Sequence, residues 1–436
     1  MAPLGPFGPA PRIAAGVSGG PHSLALALLA AEWARARGGD LLALVADHGL
    51  RPGSGAEADG VAALLAKRGI MVRVLRLGLA AGPAMQARAR AARMAALAGA
   101  AEGAGRPWLL LGHHRADQAE TLLFRALRGS GPTGLAAMAA ARDAGAVLVL
   151  RPLLGVAPAE LEAVLADAGI APVRDPSNRD DRFTRIRLRR TLADPDGTGP
   201  GVAALAAAAA AFGARRARAA AEIARRLARA AEIRPEGFAR VDLAALGDDA
   251  PGRAALAGLL AVIGGAGFAP APAAVAALVG RGGGTLAGAW LRPAARGRWL
   301  VARDPGLVGP AVEAVHGAVW DRRFRLVGEG RAGWQLGPLG EAAAGLRTEA
   351  SLPAAVLRAL PAIRDSHGAL AAVPALDYPS CNACASFPLL FTRAAGGRRA
   401  GSEFSGRPFK PGQPDLMCSA ERRRAHPTGT ETDNRT

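Results

Sequence analysis

Lysine is nearly absent from this chain. Only Lys67 and Lys410 occur in 436 residues, so the basic charge is almost wholly arginine. Basic residues outnumber acidic ones by 54 to 36, a formal net charge of +18. Alanine, glycine, proline and arginine are all abundant, as a GC-rich genome produces, so the charge alone does not establish a nucleic-acid partner. It is compatible with a polyanion, because the arginine fork matches phosphate geometry. Cysteine is scarce and late: Cys381, Cys384 and Cys418. That excludes a disulfide framework. Cys381-x-x-Cys384 has metal-like spacing, but no second pair completes a zinc site. No apolar run reaches the length of a membrane span, since Val202–Phe212 is mostly alanine and too short. No signal-like segment opens the chain. The expectation is a soluble cytoplasmic protein with no membrane partner. No internal repeat is visible.

The length implies two or three domains. Residues 1–193 alternate short apolar runs with helical patterns, which predicts an α/β domain on a parallel sheet. Expected strands are Ile13–Val17, Leu41–Val45, Val72–Leu75, Trp108–Gly112 and Val147–Leu150. Expected helices are Leu24–Ala34, Ala56–Arg68, Met85–Ala101 and Ala116–Leu127. Asp194–Gly201 reads as a linker. A long Ala/Arg helix then opens a mixed α/β domain over 202–304, a smaller domain covers 310–392, and 393–436 reads as a disordered tail.

Five segments carry chemistry. Ser18-Gly19-Gly20-Pro21-His22-Ser23 lies at a strand-to-helix turn. Glycine admits a close ligand, and a helix N-terminus offers N–H groups and a positive dipole end. From that segment alone a plain serine-capped turn is the favoured reading. Asp47-His48-Gly49-Leu50-Arg51 follows the second strand. Arg90 and Arg93 share a helix face and could clamp phosphates, or simply be solvated. In Gly112-His113-His114-Arg115-Ala116-Asp117-Gln118-Ala119-Glu120, His113 and Asp117 are four apart and Asp117 and Glu120 three apart, so all lie at one helix mouth. A His-x-x-x-Asp pair is also half a zinc site, but no third soft ligand is near. Last come Arg174-Asp175-Pro176-Ser177-Asn178 and the row Arg185, Arg187, Arg189, Arg190, whose spacing suits nucleic-acid backbone contacts better than an amphipathic helix.

In this order and spacing the segments resemble the PP-loop (N-type ATP pyrophosphatase) superfamily, and within it the tRNA(Ile)-lysidine synthetases. The resemblance covers residues 12 to 190. It implies a PP-loop fold, α/β with an N-terminal parallel sheet and smaller helical or mixed C-terminal domains. It implies a ligase that adenylates C2 of the wobble cytidine of an isoleucine tRNA with a CAU anticodon. Free L-lysine then displaces AMP, giving lysidine and AUA decoding. ATP and Mg²⁺ are the implied cofactors, and a homodimer is allowed. ATP would lie on Ser18, Gly19, Gly20, Pro21, His22, Ser23, Asp47 and His48. Arg90, His113 and Asp117 would be catalytic. Asp117 and Glu120 would take the lysine ammonium, and the arginine row would take tRNA. The chain departs from the pattern at His22, where the family has aspartate serving the magnesium–ATP chemistry. Imidazole is a poorer partner for that hard cation. Two other readings stay open: a weakened or inactive tRNA-binding relative, and another PP-loop tRNA-modifying enzyme. A thiolase is disfavoured because no cysteine precedes Cys381.

Overall fold

The structure, a computed structural model, describes residues 1–47, 49, 53–78, 85–145, 147–172, 184–346, 352–378 and 387–391. His48, the segment from Arg174 to Asn178, the three cysteines and the tail lie outside the described residues, as do the side chains of Gln86 and Arg185.

The first half alternates strands and helices. These are β1 (Arg12–Val17), α1 (Pro21–Arg35), β2 (Asp40–Asp47), α2 (Ser54–Ala66), β3 (Met71–Arg76), α3 (Met85–Gly103), β4 (Trp108–Leu111), α4 (Arg115–Ala126), α5 (Pro132–Leu135), β5 (Ala141–Asp143), β6 (Leu148–Leu150) and α6 (Pro158–Asp167). Six strands form one sheet, ordered β3-β2-β1-β4-β6-β5. Its neighbours are parallel except β5, which runs antiparallel to β6. β1 pairs with β2 from Arg12↔Asp40 to Val17↔Val45, and with β4 from Ile13↔Trp108 to Gly16↔Leu111.

Both faces of the sheet are covered, so its central strands read as continuous apolar runs. Ile13, Ala15 and Val17 pack with Leu24, Leu65, Leu161 and Leu165 of α1, α2 and α6. Ala14, Leu42 and Leu44 pack on Leu97 and Ala101 of α3. Leu24, Leu65 and Leu109 are at most 1% exposed, each contributing about 2 kcal/mol by burial. The chain runs outward from β1 to β2 and β3, then returns to place β4 on the other side of β1. That reversal opens a crevice at the carboxyl ends of β1 and β4, where ligands bind in such sheets.

Next come α7 (Thr184–Leu192) and α8 (Pro200–Ala230). The segment read as a linker is a packed turn. Asp194 accepts the N–H groups of Thr198 and Gly199 at 3.3 and 2.9 Å. Ala159 N–H donates to Asp196 O at 3.2 Å. Gly197 has φ +63°, and a Cβ there would sit 2.5 Å from Pro158 Cδ. Its Pro/Gly content thus serves a tight turn against α6, not a flexible spacer. α8 packs on α4 and α5 at one end and on a later helix at the other.

The rest is richer in β-structure. β7 (Ala231–Arg234), β8 (Phe238–Val241), α9 (Leu243–Leu246), α10 (Ala250–Gly264), α11 (Pro272–Gly280), β9 (Gly284–Leu286), β10 (Ala289–Pro293) and β11 (Trp299–Arg303) come first. They give an antiparallel sheet, β7-β8-β11-β10-β9, with α10 and α11 on one face. Then follow β12 (Val312–Val315), β13 (Val319–Trp320), β14 (Phe324–Leu326), β15 (Gly330–Pro338), α12 (Ala354–Arg358), β16 (Pro361–Arg364), β17 (Leu370–Ala372) and β18 (Leu389–Phe391). They form two small sheets, β12-β15-β16-β17 and β13-β14-β18. Between these parts lies a buried ion network of Arg303, Asp321 and Arg323. Among the described residues no helix is long and apolar enough to cross a membrane.

Candidate functional site

The crevice is built by the turns after β1 and β4. Val17 ends β1, and Ser18, Gly19 and Gly20 turn the chain into α1. Gly19 has φ +80°, a conformation glycine adopts without strain. Pro21 opens α1, and the first helical bond runs from Leu24 N–H to Gly20 O. The N–H groups of His22 and Ser23 therefore precede the helical ladder. Ser23 Oγ donates to Gly20 O at 2.9 Å and accepts Ser18 N–H at 3.1 Å; the two hydroxyls lie 3.3 Å apart. The loop is thus closed on itself around two hydroxyls, and the N–H groups of His22 and Ser23 at the start of α1 are the donors suited to phosphate oxygens.

Gly112 follows β4 and lets α1 come close. A Cβ there would lie 2.9 Å from His22 O and 3.1 Å from Ser23 Cα. Gly112→Ala is expected to push the first turn of α1 aside and weaken ATP binding about tenfold, the cost of mild overpacking. Equilibrium binding of ATP checks this, with circular dichroism showing an unchanged fold.

His113 and His114 lead into α4. Asp117 accepts the backbone N–H of His114 at 3.0 Å, tying the helix mouth. His114 Nε2 lies 3.5 Å from Asp117 Oδ2. From α7, Arg189 Nε donates to Glu120 Oε1 at 2.6 Å, and its Nη2 lies 3.7 Å from Asp117 Oδ1. Glu120 is 2% exposed. Burial opposes charge on Asp117, but the imidazoles, the His114 N–H and Arg189 together hold it below the usual carboxylate range. Burial pushes His113 down to about 4, against the pull of Asp117 and with the help of Arg151, Arg90 and Arg93. His113 is therefore neutral at pH 7. Burial likewise lowers Arg151 to about 10. Arg151 directly follows β6 and donates to Ala139 O at 2.8 Å. The field felt by His113 thus gathers Arg90 and Arg93 of α3 with Arg151, a cationic wall beside the crevice.

Several expectations are redrawn. The arginine row, whose spacing was set against that of an amphipathic helix, lies on an α-helix, Thr184–Leu192. Arg187, Arg189 and Arg190 are all exposed along their length, and the guanidinium of Arg189 reaches the two acids of α4. Asp47, expected on ATP, holds its own loop: it accepts Gly49 N–H at 2.9 Å and Ser54 Oγ at 2.7 Å, and Arg76 donates to it at 3.2 Å. Sequence reading missed the Arg189–Glu120 pair, which spans 69 positions. Arg151 was marked in the sequence as following a strand end, in Arg151-Pro152-Leu153, but was given no role at the site.

The loop and its cationic wall fit a polyphosphate. They do not make a magnesium site. The loop offers hydroxyls, N–H groups and an imidazole, while Mg²⁺ takes oxygen ligands, usually one or two carboxylates beside phosphate. The near carboxylates, Asp117 and Glu120, are engaged with Arg189 and backbone. Among the described residues no group of three or more His, Cys, Asp or Glu could hold a metal ion.

The family model for the PP-loop domain matches residues 4–195. The tRNA(Ile)-lysidine synthase of Novosphingobium aromaticivorans is 52% identical over 188 residues, 42% of this chain and 57% of that protein. That of Rhodopseudomonas palustris is 50% identical over 186 residues, 42% and 54%. That of Leifsonia xyli is 41% identical over 203 residues, 45% and 59%. The chain spans about half the length of the curated relatives it matches. Among solved structures, the U34-tRNA thiolase NcsA from Methanococcus maripaludis with its [4Fe-4S] cluster has a TM-score of 0.39 at 15% identity, covering 47% of this chain and 72% of that one. Residues 4–195 therefore carry a PP-loop domain, similar along its length to tRNA(Ile)-lysidine synthases.

Proposed function

We propose that the protein is an ATP-dependent ligase that joins lysine to C2 of the wobble cytidine of a CAU-anticodon isoleucine tRNA. The observation that carries this reading is the meeting of a phosphate cradle and a paired-acid helix mouth at one topological switch point, on a domain half identical to lysidine synthases. Ser18, Gly20, His22 and Ser23 hold the triphosphate. Arg90, Arg93 and Arg151 offset its charge. Mg²⁺ enters only as the counter-ion that ATP carries from solution.

The reaction has two steps. The cytidine O2 attacks the α-phosphate and diphosphate leaves, giving a C2–O–AMP linkage. The lysine ε-amine then attacks C2, and AMP leaves with that oxygen. Asp117 and Glu120 form an acidic pair at the mouth of α4, and Asp117, at its edge, takes the lysine ammonium. The proton that the ammonium must lose before attack leaves to solvent, and neutral His113 keeps the place beside Asp117 that the family resemblance gives it. Arg187 and Arg190, with the basic face of α8, carry the tRNA backbone. Arg185 and His48 keep the roles the family resemblance gives them. The protein acts in the cytoplasm, where its tRNA and lysine are.

Diphosphate release tests the order of steps. With the tRNA and ATP but no lysine, about one diphosphate per tRNA is expected, and added lysine releases AMP. Release at the same rate without tRNA would contradict the reading.

A further inference from the structure

Around the first turn of α1 the structure gathers imidazoles where the phosphate oxygens would lie. His22 is the second residue of α1, and its ring meets the His114 ring edge to face at 4.1 Å between centroids. His22 Nε2 and His114 Nδ1 are both buried without a hydrogen-bond partner among the described residues. His114 is 4% exposed. A buried nitrogen left unpaired costs free energy unless a ligand meets it. The charged groups facing His22 are His114 and Asp117 from α4, Glu162 from α6 and Arg189 from α7. Imidazole offers nitrogen, which suits softer metals than Mg²⁺. It offers a polyphosphate something else, a charged donor once a proton is added.

We propose that His22, backed by His114, binds the polyphosphate tail of the nucleotide as a proton-loaded imidazole, so that nucleotide binding takes up a proton where a protein-held divalent cation would otherwise act. This rests on the reading of Ser18–Ser23 as the phosphate cradle. In the empty protein, burial lowers His22 to about 4, so it is neutral at pH 7 and the proton comes from solvent. Anionic oxygens at the ring favour the charged form, so its pKa is higher in the complex than in the empty protein. Linkage then requires affinity to rise as pH falls between those two values. His113 does not share this task, because its neighbours Arg90, Arg93 and Arg151 already supply positive charge.

The test is calorimetry on the full chain with tripolyphosphate and with ATP, in EDTA, at pH 6 to 8. Two buffers of different ionisation enthalpy give the proton count. The expected result is uptake of up to one proton per ligand, and an affinity gain of about tenfold or more from pH 8 to pH 6. His22→Asn is expected to bind without the uptake and without the pH slope. His22→Asp is expected to bind well only with Mg²⁺ added. Where His22→Asn fails to fold, zero proton uptake by the wild type still overturns the proposal. ATP binding with no proton uptake and a flat pH profile overturns the proposal and leaves the nucleotide reading standing. Full uptake in His22→Asn places the proton elsewhere and also overturns it. No binding of either ligand at any pH, with or without Mg²⁺, overturns both.

Discussion

Asp117→Asn is expected to lower lysine incorporation into the CAU-anticodon tRNA by about 100-fold or more, the scale of removing one partner of a desolvated charge pair. Asparagine keeps the side-chain oxygen that accepts the His114 N–H at 3.0 Å, so the mouth of α4 stays tied. What it loses is the negative charge. Glu120 stays bonded to Arg189 at 2.6 Å, so the ammonium loses the carboxylate proposed to receive it. The loss is therefore expected in lysine use, with KM for lysine raised and ATP binding within about twofold of wild type. Radiolabelled lysine at rising concentration measures this, beside ATP binding by calorimetry. Equal loss of ATP binding would mean that Asp117 serves the nucleotide instead.

Asp321→Ala is expected to give the largest loss of stability, about 3–5 kcal/mol. Asp321 accepts Arg303 Nη2 and Nε at 2.8 Å each, Arg323 Nε at 2.7 Å and Gly309 N–H at 2.9 Å. Arg303 is 7% and Arg323 1% exposed. Arg323 also donates to Gly237 O and Ala359 O, so the network joins β-elements of both C-terminal parts. Alanine strands two buried guanidinium groups. Trp320, fully buried and stacked on Phe324, is the adjacent fluorophore, and its denaturant midpoint reads the loss. A shift under about 1 kcal/mol would show that water reaches the arginines. The acid side has a fixed sign. Burial raises the Asp321 pKa, but Arg303, Arg323 and the Gly309 N–H outweigh it and lower the folded value. A lowered carboxyl contributes stability above its unfolded pKa and loses it as pH falls through the folded one. The wild-type midpoint is thus expected to fall in acid, and Asp321→Asn to lack that part of the fall.

Much of the first half was legible because periodicity and burial agree there. β1 and β2 are apolar on both faces, and their ends sit within two residues of the expected ones. Asp117 and Glu120 were legible because helical spacing brings them together whatever surrounds them, and His113 because it stands just before that helix. Other features have no local signal. β5, Ala-Arg-Asp, is short and largely exposed, so no alternation marks it. Arg189 reads as one more surface arginine until α7 folds against α4. Asp194–Gly201 has a linker's composition and a turn's hydrogen bonds. The Asp321 network joins groups up to 86 positions apart, and Asp321 and Arg322 both adopt positive φ. No period in the sequence encodes such a junction.

The account rests on one chemical event at one base. The direct measurement incubates the full chain with ATP, lysine and the CAU-anticodon isoleucine tRNA, then digests the tRNA and weighs its wobble nucleoside. The expected product is cytidine plus one lysine less one water, formed only when ATP and lysine are both present. A wobble cytidine of unchanged mass, in protein that binds both ATP and the tRNA, would contradict the account.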